Sequence, residues 1–181
     1  MKAAWLGCLL LALASAASAH RLDEYLQATR VSVATNRIDV SIDLTPGVAV
    51  ADQVLEVVDQ DRDGHVSHAE RDAYAQHVLK DIRVRLDDSV LALSLVDASF
   101  PALHEVKRGL GVIRIKATAP VGPLPAGRHA LSLTNAHLPA ISVYLVNALV
   151  PKNRAITIAR QARDELQKGY RLEFGVRRST P

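Results

Sequence analysis

The sequence predicts a mainly β fold, an antiparallel sandwich-like domain with one helix–loop–helix inserted into it. Three observations carry that expectation. Apolar and polar residues alternate with a period of two through most of the chain, as where Ile38, Val40, Ile42 and Leu44 are separated by Asp39, Ser41 and Asp43. Runs of this kind recur eight or nine times, about 8–15 residues apart and bounded by turn-forming residues, which is the signature of a sandwich. One stretch changes period: Ala51, Val54, Leu55 and Val58 stand at i, i+3, i+4 and i+7, the stripe of an amphipathic helix.

Taken in order, residues 1–19 read as a signal peptide. Lys2 supplies the charged start, Leu6 to Leu13 the apolar segment, and Ala17-Ser18-Ala19 an A-x-A cleavage site. The apolar segment is shorter than the ~20 residues a spanning helix needs. Cleavage would leave residues 20–181 as a single exported β-rich domain, periplasmic or secreted. Val31 and Val33 form a strand that turns through Thr35-Asn36 into the strand of Ile38 to Leu44. Residues 47–82 form the inserted helix–loop–helix, with Thr45-Pro46 as N-cap and first helical residue of the entering helix. Val84 and Leu86, then Val90 to Val96, flank an Asp87-Asp88-Ser89 turn as a second hairpin, and Val112 to Ile115 is the next strand. Gly122, Pro123, Pro125 and Gly127 make residues 121–127 a loop. Ala130 to Leu133, Ile141 to Val146, Ala155 to Ile158 and Tyr170 to Val176 complete the strands, with Asp164-Glu165-Leu166 as a possible helical turn. Leu138 to Val150, interrupted by Asn147, is too short to span a membrane and reads as a buried strand pair.

Composition narrows the function classes. The formal net charge is +3, or +2 once Lys2 is removed, which gives no case for nucleic acid. Arg177-Arg178 reads as a solvated tail. The only cysteine is Cys8, inside the signal segment, so the processed domain has no disulfide, thiol nucleophile or thiolate metal site.

The most informative stretch is Asp59-Gln60-Asp61-Arg62-Asp63-Gly64-His65-Val66-Ser67-His68-Ala69-Glu70. It offers oxygen ligands at loop positions 1, 3, 5, 9 and 12 and glycine at position 6, the spacing that wraps one short loop around Ca²⁺. Asp59, Asp61 and Asp63 converge their carboxylates, and His65 contributes its backbone carbonyl. Ser67 reaches the ion directly or through water, and Glu70 closes the shell as a bidentate ligand. Val66 docks the loop on the protein. Four carboxylates and a glycine in this register arise by chance on the order of once in 10⁴ chains of this length. Ser67 and Glu70 also form an S-x-x-E capping box that starts the exiting helix, about residues 68–82.

This loop resembles the EF-hand family, which implies calcium as the bound ion and places Asp59, Asp61, Asp63, His65, Ser67 and Glu70 around it. A second loop of the kind is missing, so this one leans on the β scaffold or on a partner. A wider resemblance covers roughly residues 20–100. His20-Arg21-Leu22-Asp23, the early hairpin, Asp43-Leu44-Thr45-Pro46 and the Ala69-Glu70-Arg71-Asp72-Ala73-Tyr74 continuation are similar to the exported domain ahead of the membrane helices in bacterial nickel/cobalt-transporter and hydrogenase- or urease-accessory proteins. That likeness implies an accessory metal-binding module, for nickel, cobalt or copper, beside a membrane transporter or another exported protein. Transport itself does not carry over.

Other chemistry is thinner. A free His20 amino terminus could chelate Cu²⁺ or Ni²⁺, completed by His104, His129 or His137. His65, His68 and His77 read as solvated. His104-Glu105 lacks the second histidine of a zinc-protease helix, Gly109-Leu110-Gly111 lacks the third glycine of a dinucleotide fingerprint, and no G-x-S-x-G elbow occurs. Asp87-Asp88 and Asp164-Glu165 read as turn formers. The expectation is a calcium-binding protein and not an enzyme.

Overall fold

A computed structural model describes residues 23–178. Residues 1–19, read from the sequence as a signal peptide, and His20 lie outside them. Ten strands and three helices follow one another among the described residues. A hairpin of β1 (Tyr25–Val33) and β2 (Arg37–Pro46) leads to helices α1 (Ala51–Val58) and α2 (His68–Lys80). Next come β3 (Ile82–Leu86), β4 (Ser89–Leu91), β5 (Ser94–Ser99) and the short helix α3 (Leu103–Lys107). The chain ends with β6 (Ile113–Pro120), β7 (Gly127–Asn135), β8 (Ser142–Ala148), β9 (Ile156–Arg163) and β10 (Gly169–Val176).

The strands form two five-stranded sheets, ordered β5-β6-β2-β1-β8 and β4-β3-β7-β10-β9. All pairings are antiparallel except β1 with β8, which run parallel from Tyr25↔Ser142 to Val31↔Ala148. The inner faces meet in one core: Ile38, Val40, Ile42, Leu44, Ile113 and Ile115 from the first sheet, Val84, Leu131, Leu133, Tyr170, Leu172 and Phe174 from the second. This is the mainly β, sandwich-like fold expected from the alternation. The helix–loop–helix is the connection that carries the chain from β2 in one sheet to β3 in the other, with α2 packed against β5 and β3. No helix of the described residues is long and apolar enough to cross a membrane.

Four local expectations need correction. Thr45-Pro46 does not open α1, because the β1–β2 ladder runs on to Leu26↔Thr45 and Tyr25↔Pro46. Proline is tolerated there because it ends the strand, and α1 begins after Val50, which offers no side-chain cap. Val90 to Val96 is not one strand. The chain leaves β4 after Leu91 and re-enters the opposite sheet as β5 at Ser94. Leu138 to Val150 supplies one strand, β8, not two. Asp164-Glu165-Leu166 is a turn between β9 and β10 and not a helix. Its Asp164 carboxylate accepts the Lys168 and Gly169 N–H groups at 2.9 and 2.7 Å.

The α1 stripe holds as read, since Ala51, Val54, Leu55 and Val58 are all buried. Val54 and Val58 join the main core. Ala51 and Leu55 pack instead on Val106 of α3. The sequence does not signal α3 as a helix. It is five residues long and ends where Gly109 turns left-handed at φ +68°.

Candidate metal centre

The loop between α1 and α2 is shaped by its own aspartates. Gly64 N–H donates to Asp59 Oδ2 at 3.1 Å, Asp63 N–H to Asp61 Oδ1 at 3.2 Å, and His65 N–H to Asp63 Oδ1 at 2.7 Å. Short acidic side chains that fold back on nearby N–H groups hold such a loop closed. The result brings one carboxylate oxygen each from Asp59, Asp61 and Asp63 within 4.8 Å of one another. Asp61 and Asp63 are exposed and Asp59 is half-buried. Asp59 Oδ1 is buried and has no hydrogen-bond partner. A buried carboxylate oxygen left without a donor is costly, and a cation beside it would offset that cost.

Two residues of the loop adopt left-handed backbone, Arg62 at φ +60° and Gly64 at φ +81°. At Gly64 an added Cβ would meet nothing within 4 Å, so the demand is conformational and not steric crowding from elsewhere. Replacement by valine is therefore expected to destabilise the loop by about 1–2 kcal/mol without any metal present. Chemical denaturation of Gly64→Val in chelator would show it, and an unchanged midpoint would count against this account of the turn.

Glu70 sits at the first turn of α2 and is buried. Its Oε2 accepts the Ser67 N–H at 2.9 Å and the Ser67 hydroxyl at 2.8 Å, while Ser67 Oγ accepts the Glu70 N–H at 3.3 Å. The capping box is thus present in both directions. Its Oε1 crosses the loop to the Gln60 N–H at 2.7 Å, with Asp61 N–H at 3.5 Å. Glu70 consequently ties the entrance of the loop to its exit. The Ser67 backbone and hydroxyl, helped by the Gln60 and Asp61 N–H groups, hold its carboxyl below the usual range despite burial. The structure does not bring Glu70 into the aspartate group, because these four donors already occupy its oxygens. Val66 is half-buried and packs on the main core, as expected of the docking residue. The side chains of His65 and His68 are exposed.

His20, to which the expectation links the remaining histidines, lies outside the described residues. His104 is exposed on α3. His129 is buried, stacked on Phe174 at 5.5 Å, with Nδ1 at 2.9 Å from Asp87 Oδ2 and Nε2 at 2.9 Å from the Pro125 carbonyl. Burial opposes the charge on this ring, but the two acceptors outweigh it and raise the pKa. A raised folded-state pKa gives stability that is fully present below the unfolded value and is lost as pH rises through the folded one. The melting-temperature gap between wild type and His129→Gln should accordingly be wider at pH 6 than at pH 8.5. A gap that widens with pH would contradict the assignment. His137 is fully buried and meets Asp81 and His77, an association the sequence did not signal.

Compared with known proteins, the chain matches no family model, no curated protein and no solved structure.

Proposed function

We propose that the protein is an exported calcium-binding protein in which Ca²⁺ is a structural element, held by the α1–α2 loop on a β-sandwich scaffold. The observation that carries this reading is the gathering of one carboxylate oxygen each from Asp59, Asp61 and Asp63 within 4.8 Å, in a loop where Asp59 Oδ1 is buried without a donor. The donor set is all oxygen, which suits a hard cation of Ca²⁺ size better than a transition metal. Asp59, Asp61 and Asp63 would hold the ion, with His65 lending its backbone carbonyl, Ser67 an oxygen or a bridging water, and Glu70 its carboxylate. Glu70 would exchange its Gln60 contact for the ion while Ser67 keeps the helix capped. Export rests on the reading of residues 1–19.

Calcium would neutralise carboxylates that repel one another and so lock the angle between α1 and α2. Both helices are anchored in the core, through Val54 and Val58 on one side and Tyr74, Val78 and Leu79 on the other. That anchoring favours a stiffening role over the opening of an apolar groove. A single exported site of this type works at a Kd of ~10⁻⁵ to 10⁻³ M. At one hundred times Kd, the ion would add about 2.7 kcal/mol to stability. The test is calcium titration of Glu70→Gln. The amide keeps a cap acceptor but loses the charge, so Ca²⁺ affinity should fall at least tenfold while the circular dichroism spectrum is unchanged. Equal affinity in the variant would remove Glu70 from the coordination.

A further inference from the structure

A second cluster of metal-ligating side chains lies at the far end of α2 from the aspartate loop. His77 is in the last turn of α2 and Asp81 is its C-cap, so the two are four residues apart and share one face. His137 comes to them from the β7–β8 connection, and one ligand atom from each of the three lies within 4.8 Å of the others. His137 Nδ1 is 2.8 Å from Asp81 Oδ2, and the rings of His77 and His137 are 5.5 Å apart, edge to face.

We propose that His77, Asp81 and His137 form a binding site for a first-row transition cation of Zn²⁺ type, separate from the calcium loop. Two imidazoles and one carboxylate are the donors such an ion takes in three-ligand sites, with water in the open position. They are a poor set for Ca²⁺, which prefers oxygen throughout. Bonds of about 2.0–2.2 Å would require the ligand atoms to stand ~3.3 Å apart. The Asp81–His137 pair is hydrogen-bonded at 2.8 Å, and it would have to part slightly as the ion takes the place of the shared proton. His77 is exposed, so a change of its rotamer closes the remaining gap and its side of the site opens to solvent for entry of the ion.

The buried ligand is fixed in advance. The His137 N–H donates to Asn135 Oδ1 at 3.0 Å, and its carbonyl accepts from Gln27 Nε2 at 2.9 Å and the Tyr144 hydroxyl at 2.8 Å. Its Nε2 faces the Tyr74 hydroxyl at 3.3 Å, which in turn meets the Tyr25 hydroxyl at 2.6 Å. Hydrogen bonds on the non-ligating nitrogen are what orient a metal-bound imidazole. The Ala136 N–H donates to the Asp81 carbonyl at 3.0 Å, so the loop carrying His137 is tied to the end of α2 that carries the other two ligands.

Zn²⁺ titration of the calcium-saturated protein by calorimetry tests this, with ring ¹H–¹⁵N spectra of the histidines alongside. One equivalent of Zn²⁺ should bind and shift the ring nitrogens of His137. His77→Ala, an exposed change that leaves the core intact, should weaken Zn²⁺ at least tenfold. Asp81→Asn, which preserves an acceptor for His137, should do the same. Asp59→Asn should leave the Zn²⁺ heat unchanged, so failure of the calcium reading and failure of this one are distinguishable. No Zn²⁺ binding, equal binding in His77→Ala, or binding abolished instead by His65→Ala or His68→Ala would overturn the proposal.

Discussion

Asp59→Asn is expected to abolish the response to calcium while leaving the ion-free protein as stable as before, or slightly more so. The residue has two roles that can be separated. Asp59 Oδ2 accepts the Gly64 N–H, and an asparagine carbonyl can take over that bond. Asp59 Oδ1 is the buried oxygen without a donor, and its charge adds to the repulsion among three carboxylates gathered within 4.8 Å. Two like charges 4 Å apart repel by about 1 kcal/mol even in bulk water. Removing one therefore relieves the empty loop and cripples the filled one. Thermal melts in chelator and in millimolar Ca²⁺ read both effects. A variant that loses stability in chelator and still gains it from calcium would show that Asp59 is a turn former only.

Gln27→Leu should cost about 2–4 kcal/mol, the largest stability loss expected from one near-isosteric change outside the apolar core. Gln27 is fully buried on β1 and reaches three groups. Its Nε2 donates to the His137 carbonyl at 2.9 Å and to Ser142 Oγ at 2.7 Å, and its Oε1 accepts from Asn135 Nδ2 at 2.9 Å. Leucine fills the space but leaves the Asn135 amide without that acceptor in a place water does not reach. Removing one member of a buried network costs the desolvation of what it leaves behind. For a domain of this size the loss lowers the melting temperature by roughly 5–15 °C. A drop of a degree or two would mean that the network relaxes or admits water.

The same residue explains what the sequence concealed. β2 was legible because Ile38, Val40, Ile42 and Leu44 are all apolar and all face inward. Its partner is legible only from Val31 onward, although β1 begins at Tyr25, because two of its inward positions are Gln27 and Thr29. Buried polar groups that are satisfied by distant partners break a period-two pattern without breaking the strand. The split of β4 from β5 at Ala92-Leu93 was equally hidden, since which sheet a strand joins is decided by pairing with β3 or β6 and not by its own residues. The parallel pairing of β1 with β8 joins segments more than a hundred residues apart.

The aspartate loop was legible for the opposite reason. Asp59, Asp61 and Asp63 stand on alternate residues, so their spacing alone brings the carboxylates together, and the Ser67–Glu70 cap is local as well. What spacing could not supply was the present use of Glu70, whose oxygens are taken by Ser67 and Gln60. The cluster of His77, Asp81 and His137 was out of reach altogether. Each histidine stands alone in sequence, and only the docking of the β7–β8 connection onto the end of α2 joins them.

The loop from Asp59 to Glu70 is proposed to enclose a calcium ion. Isothermal titration of the purified protein with Ca²⁺ addresses it most directly, with Asp59→Asn titrated under the same conditions. One site per chain is expected, with a Kd of ~10⁻⁵ to 10⁻³ M, absent from the variant. A wild-type protein that gives no heat and no thermal stabilisation at millimolar calcium would contradict the account.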